Sequence, residues 1–285
     1  MAAERSNWGR WGTEDERGAL NLLTPETVRC ASKLIRSGKV YSLGTPVGEH
    51  APTGPSRDKP RLVTHAPESS SVKGAGGAED VLTMNLHSSS HIDSFAHSWY
   101  DGRLYNGHPA AAVTTASGAG RCSIANATSL VGRGVLLDIA GLNGVEYLED
   151  GYAVLPKELD EAEKRQGVRV GLADILLVRT GWYSLFQRRG DEVRGSFPGL
   201  DASCRHWLAE RDICAVGADN GAVEVWPPSS KPLHHDLLCD LGIYLIEYLD
   251  LQELAADQVS EFLFIAAPLK IDGGTASPVN PLAIV

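Results

Sequence analysis

The feature that most limits what this chain can become is a series of short apolar runs, several closed off by glycine, separated by stretches of helical pattern. VGRGVLLDIAG at 131–141 and ADILLVRTGW at 173–182 are short, uniformly apolar and bounded by glycine, and read as buried strands. Between them, LPKELDEAEKRQG at 155–167 has the charge distribution of a surface helix. ASCRHWLAERDICAVGAD at 202–219 reads as a helix feeding another buried strand. LCDLGIYLIEYL gives a further strand and VSEFLFIAAPLKI at 259–271 the last. The first half is strand and loop. Thr24 followed by Pro25 starts a helix through Val28, Ala31, Leu34 and Ile35 that Gly38 stops. KVYSLGTPV is then a strand ending before Pro46. Thr13 and Glu16 have the spacing of a capping box around a short helical turn. Residues 48–80 are rich in Gly, Pro, Ser and charge and read as a long surface excursion. Val81, Thr83 and Asn85 alternate against Leu82, Met84 and Leu86 as in a strand. The expectation is one α/β domain around a central sheet, covering 1–285 with an N-terminal extension of about 38 residues.

Charge narrows the partners. A net charge of -10 and a pI near 5.4, with no basic cluster interleaved with aromatics, argue against nucleic acid. A small molecule is the expected partner. No uninterrupted apolar stretch is long enough to span a bilayer. Met1, Ala2, Ala3, Glu4 and Arg5 begin the chain without the apolar core of a secretory leader, so the cytoplasm is expected. The five cysteines are widely spaced and no pair is in CxxC register, which points to neither a disulfide framework nor a thiolate knuckle. GAGG at 74–77 matches neither the GxGxxG nor the P-loop pattern, and Ser90 sits in no GxSxG elbow.

Chemistry concentrates just after the strand at 81–86. His87, His91 and Asp93 fall within seven residues and share one parity. In extended backbone His91 and Asp93 therefore point to the same face, and curvature can bring His87 to them. Imidazole nitrogen with carboxylate oxygen is a donor set for zinc, manganese or iron. His97, four residues beyond Asp93, is a further ligand or, as preferred here, an acid–base group with a pKa near neutrality. Glu247 lies inside an otherwise apolar strand, where a carboxylate needs a metal, a partner or solvent. His235 enters from the loop before it. A divalent ion on such ligands lowers the pKa of bound water and polarises a carbonyl, which suits acyl hydrolysis, and the same Lewis acid also serves an elimination or a ring closure.

HSSSHIDSFAH at 87–97 resembles the HxGTHxDxPxH signature of the cyclase family of metal-dependent hydrolases, with Ser89-Ser90 in place of Gly-Thr and Phe95 in place of Pro. HDLLCDLGIYLIE resembles the family's later His…Glu stretch, and the segments WGTEDERGALNLLTPE, ADNGAVEVWP and EFLFIAAPLKIDGGTASPVNPLAI resemble its longer members. The resemblance implies a swivelling β/β/α fold in a single domain and hydrolysis of the carbon–nitrogen bond of a small cyclic amide, imide or aryl formamide. A lactonase, a cyclase or dehydratase, and a non-catalytic metal-binding member are the alternatives. It further implies His87, His91, Asp93, His235 and Glu247 as ligands of one or two Zn2+ or Mn2+ ions per subunit, and His97 as the catalytic histidine. Trp8, Trp11, Phe95, Asp219, Asn220 and Glu224 are expected near the substrate, and the assembly to be a homodimer or homotetramer.

Overall fold

The computed structural model describes residues 6–66, 73–228 and 231–285. Residues 1–5, on which the reading of a leaderless start rests, lie outside the described residues, as does part of the 48–80 excursion. Among the described residues nine strands form one sheet: β1 (Val40–Ser42), β2 (His91–Asp93), β3 (Leu130–Asp138), β4 (Ile175–Arg179), β5 (Ala215–Ala218), β6 (Tyr244–Glu247), β7 (Glu261–Ala266), β8 (Ala276–Pro278) and β9 (Leu282–Ile284). Their order is β1-β9-β7-β3-β4-β5-β6-β2-β8. The four middle strands β3, β4, β5 and β6 run parallel, and every other neighbouring pair is antiparallel. That arrangement accounts for the sequence pattern: β4, β5 and β6 are buried at every position, so apart from Arg179 and Glu247 at their ends they read as apolar runs without alternation.

Six α-helices accompany the sheet: α1 (Pro25–Ser32), α2 (Ile139–Leu142), α3 (Pro156–Gln166), α4 (Trp182–Arg189), α5 (Cys204–Glu210) and α6 (Gln252–Ala256). Thr24 and Thr27 exchange side-chain bonds with each other's backbone N–H at the start of α1, with Pro25 in the first turn. This helix stops at Ser32, short of the Ile35 its apolar spacing predicts. Glu158 accepts the Leu155 N–H at the start of α3 (2.9 Å), and Gly167, at φ 68°, ends it in the left-handed conformation. Thr13 caps nothing. The Glu16 carboxylate is taken by Arg121 Nη1 (2.8 Å), the Cys122 N–H (2.6 Å) and Asn126 Nδ2 (2.8 Å), and the first helical turn forms later, as a 3-10 turn at Gly18–Leu22.

The core lies against the sheet, with Ile92, Leu136, Leu177, Val216, Leu245, Phe262 and Phe264 all buried. Close packing forces glycine at Gly134, where a Cβ would come within 2.1 Å of the Phe262 ring. The 48–80 excursion is not loop throughout. Arg61–His65 and Glu79–Thr83 pair antiparallel into a ribbon exposed along its whole length. The single mixed α/β domain expected from the sequence is the fold observed. No helix among the described residues is long and apolar enough to cross a membrane.

Candidate metal centre

The strand β2 is only three residues long, but it sits between β6 and β8 and is fully buried. Its antiparallel register sets Glu247 directly opposite His91 and Leu245 opposite Asp93. Cross-strand partners share a face and residues two apart share it too, so His91, Asp93 and Glu247 converge on one side of the sheet. His87 reaches the same place over a tight turn in which Ser89 adopts φ 54°. That left-handed backbone explains the glycine of the signature; here Ser89 is held by bonds from its N–H to the Pro52 carbonyl (2.8 Å) and from its hydroxyl to the Pro46 carbonyl (3.1 Å). Ser90 ties the turn to the Tyr248 carbonyl (2.6 Å) and to Thr45.

The distances describe a cluster arranged around Asp93. His87 Nδ1 is 2.7 Å from Asp93 Oδ1, and His91 Nε2 is 3.4 Å from Asp93 Oδ1 and 3.3 Å from Glu247 Oε2. His97 Nε2 lies 3.8 Å from Asp93 Oδ2. His91 Nδ1 faces the Ser89 carbonyl at 2.9 Å, and since a carbonyl only accepts, Nδ1 carries a ring proton and Nε2 is the atom turned into the cluster. His91 Nε2 and Asp93 Oδ2 are buried and have no hydrogen-bond partner among the described residues. Two triads, His87/Asp93/His97 and His91/Asp93/Glu247, each bring three ligand atoms within 4.8 Å of one another. Orphaned donor atoms of this chemistry at this spacing fit a divalent cation.

The electrostatics separate the imidazoles. Burial opposes a charge on His91, but the facing Asp93 and Glu247 carboxylates carry its pKa up to about 10. Burial also drives His97, down to about 4, with His87 and His234 adding to the effect and Asp93 resisting it. Burial favours the neutral forms of Asp93 and Glu247; the surrounding imidazoles nevertheless keep Asp93 well below its ordinary value and Glu247 at about 2.

Several expected site residues stand elsewhere. The histidine beside Glu247 is His234 and not His235: His234 Nε2 is 3.2 Å from Glu247 Oε1 and 3.9 Å from Asp93 Oδ2. A π-helical stretch, His235–Leu241, begins immediately after it, and the rotation per residue carries His235 away toward Tyr100 (ring centroids 5.7 Å apart). Glu224 is at the site but serves His234, accepting from Nδ1 (2.5 Å), from the His234 N–H (3.2 Å) and from the Leu233 N–H (2.6 Å). Phe95 is core. The strand ends at Asp93, and the ring packs fully buried between Tyr105 and Tyr244. Asp219 is spent on the Thr180 N–H and hydroxyl and the Gly181 N–H, and burial raises its pKa. Asn220 closes its own turn onto the Ala222 and Val223 N–H groups. Neither Trp8, which donates to the Cys239 carbonyl (2.6 Å), nor Trp11, packed at the margin of the core under Arg10, lines the cavity beside the cluster.

That cavity, about 330 Å³, has His97, His234 and Glu247 on its floor and Phe197, Trp226 and Tyr248 among its walls. Sequence reasoning missed His234, whose only signal is its adjacency to His235, and Tyr248, which follows Glu247 but reads as one more apolar strand residue.

An α/β sheet that presents a buried imidazole–carboxylate cluster beneath a small cavity offers a candidate metal centre. The Cyclase family model matches residues 33–225, and the chain belongs to that family. A crystal structure described as a novel cyclase superposes with a TM-score of 0.91 over 99% of this chain and 100% of that one, at 35% identity. Kynurenine formamidase of Bordetella petrii is 30% identical over 143 residues, which is 48% of this chain and 59% of that protein's length. Isatin hydrolase of Roseibium aggregatum is 24% identical over 243 residues, 81% of this chain and 83% of the relative. The family read from HSSSHIDSFAH is therefore borne out, and its named relatives are hydrolases.

Proposed function

We propose that this protein is a metal-dependent hydrolase that opens the carbon–nitrogen bond of a small cyclic amide, imide or aryl formamide. The observation that carries the reading is the pair of buried atoms without partners, His91 Nε2 and Asp93 Oδ2, at the centre of the cluster. His87, His91, Asp93 and Glu247 would hold the ion, with His234 beside Glu247 available for a second one that shares Asp93. Zinc and manganese both suit this donor set. Bound there, the ion supplies a water of lowered pKa and a Lewis acid for the amide carbonyl.

The protein's own part begins with His97. Burial puts its pKa at about 4, below the near-neutral value expected from the sequence, so the imidazole is neutral at pH 7 and would hold a proton on Nε2 only transiently before returning it to the departing nitrogen. Asp93, 3.8 Å away, offsets the charge while the proton is held. Phe197, Trp226 and Tyr248 line a half-open space sized for one ring and its substituents. Relatives named as a formamidase and an isatin hydrolase support the amide class.

The test has two parts. Protein purified without added metal or a metal-binding tag should hold near-stoichiometric zinc or manganese, and a His87→Ala/Asp93→Ala variant should not. Cyclic amides and aryl formamides offered to the loaded protein in oxygen-18 water should yield labelled acid. Absence of metal after reconstitution with both ions, or product without label, would overturn the reading.

A further inference from the structure

The cavity beside the cluster has a cation that no carboxylate among the described residues neutralises. Glu247 faces His91 and His234 at 3.3 and 3.2 Å, and Glu224 is occupied by His234 and Leu233, so the two carboxylates lining the cavity are both engaged. Among the described lining residues Arg57 alone is a lysine or arginine. Its Nη1 donates to the His87 carbonyl (2.9 Å), which pins the guanidinium beside the cluster. No carboxylate pairs with it, and Nε and Nη2 meet no protein acceptor among the described residues. In a chain with 36 acidic and 26 basic residues, an arginine held in place yet left without a counter-ion is out of balance.

Tyr248 marks the same deficit from another wall. It sits at φ 57°, and its hydroxyl projects over Gly221, where a Cβ would stand 2.2 Å from the oxygen. Only glycine leaves room for it. The ring is buried, yet its hydroxyl has no hydrogen-bond partner among the described residues. A phenol and a guanidinium left open to a small aromatic cavity are two donors awaiting an acceptor.

We propose that the substrate is a flat ring bearing a carboxylate in addition to its scissile amide, with Arg57 receiving that carboxylate and Tyr248 donating to it. The inference rests on the hydrolase reading for the amide and on Arg57 and Tyr248 for the carboxylate. A planar guanidinium fork matches a carboxylate better than any neutral group, and Phe197 and Trp226 supply flat apolar contact for the ring. One ring with two small substituents fits the volume.

The experiment separates the two readings. Metal-loaded enzyme is assayed on 3-formamidobenzoate and on formanilide, which differ only in the carboxylate. Wild type should favour the carboxylate substrate through KM by about 10- to 100-fold, the worth of one charge-assisted contact. Arg57→Leu should abolish that preference, the KM for 3-formamidobenzoate rising to match that for formanilide; Arg57→Lys should restore part of it. Equal KM values in wild type, or a fall in kcat on both substrates in Arg57→Leu, would sink the proposal, the latter by assigning Arg57 to the scissile carbonyl. If neither compound is hydrolysed, binding decides. Isophthalate and benzoate each offer the metal one carboxylate, so tighter isophthalate binding, read by tryptophan fluorescence and lost in Arg57→Leu, upholds Arg57 recognition even as the hydrolase reading falls. Equal binding of the two in wild type overturns it.

Discussion

Asp93 gives one oxygen to His87 and His91 and turns the other toward His97 and His234, so the charge states of four imidazoles meet at one carboxylate. Two pH windows follow for the metal-free protein. His97, depressed to about 4, stays neutral in the fold while the unfolded chain takes up a proton below about 6.5; its contribution is complete above 6.5 and lost as pH falls toward 4. His91 and His234 are both raised to about 10, His234 against its burial by Glu224 and Glu247. Their contribution is complete below 6.5 and lost as pH rises toward 10. Glu247, held at about 2, adds to the acid loss only below about 4.5. Thermal midpoints of chelator-treated protein should therefore peak between about pH 6 and 7 and fall on both sides. Reloading the metal should remove the alkaline decline, because ligation displaces the same protons. A chelated protein with a flat profile from pH 6.5 to 10 would show that His91 and His234 are not proton-bound.

At the level of elements, the buried strands and surface helices were legible because burial imposes composition: β4, β5 and β6 are apolar at nearly every position, and α3 carries its charges outward. The shared face of His91 and Asp93 was legible as spacing within one strand, while His87 joins them over the Ser89 turn. What sequence could not give was the consequence of a change in backbone geometry. Phe95 continues the parity of His91 and Asp93, but β2 ends at Asp93 and the chain turns, with the Ser94 N–H bonding the Thr275 carbonyl (2.9 Å), so the ring enters the core. His234 and His235 are adjacent in sequence, and only the onset of π-helix decides which one faces Glu247. Likewise, the 219–224 turn reads as a set of pocket residues, of which Glu224 does line the cavity, but it is first a brace: Asp219 and Asn220 fix its path, and Glu224 at its end orients His234. That brace can be tested. Glu224 accepts three protons, and a glutamine has one carbonyl oxygen to offer where the carboxylate has two. Glu224→Gln must strand the Leu233 N–H or turn its own N–H on His234 Nδ1, which drives the ring proton to Nε2, the atom facing Asp93 and Glu247. Metal affinity, measured by chelator competition, should fall about 10- to 100-fold with the circular dichroism spectrum retained. Unchanged affinity would reduce Glu224 to a loop anchor.

The molecule as a whole presents one surface its own fold does not explain. In the ribbon of Arg61–His65 and Glu79–Thr83, Leu62, Val63, Val81 and Leu82 are 58%, 49%, 67% and 47% exposed. A two-stranded ribbon is marginal by itself, and apolar pairs exposed on its two faces, Leu62 with Leu82 and Val63 with Val81, mark a contact surface. Cross-strand partners share a face, so Arg61, Val63 and His65 lie together with Thr83, Val81 and Glu79. Arg61 and Glu79 stand at opposite ends of that face with the valine pair between them. A two-fold axis through the valines would set Arg61 of one copy against Glu79 of the other, a self-complementary contact of the kind an isologous dimer uses. Self-association through the ribbon is accordingly expected. Light scattering coupled to gel filtration at micromolar concentration should return twice the 30.5 kDa chain mass or a larger multiple. Val63→Lys/Val81→Lys should return one chain mass with the thermal midpoint of the isolated domain intact, since neither side chain touches the core. A wild-type protein that runs as a single chain would refute the interface, and a variant that stays assembled would move it to another face.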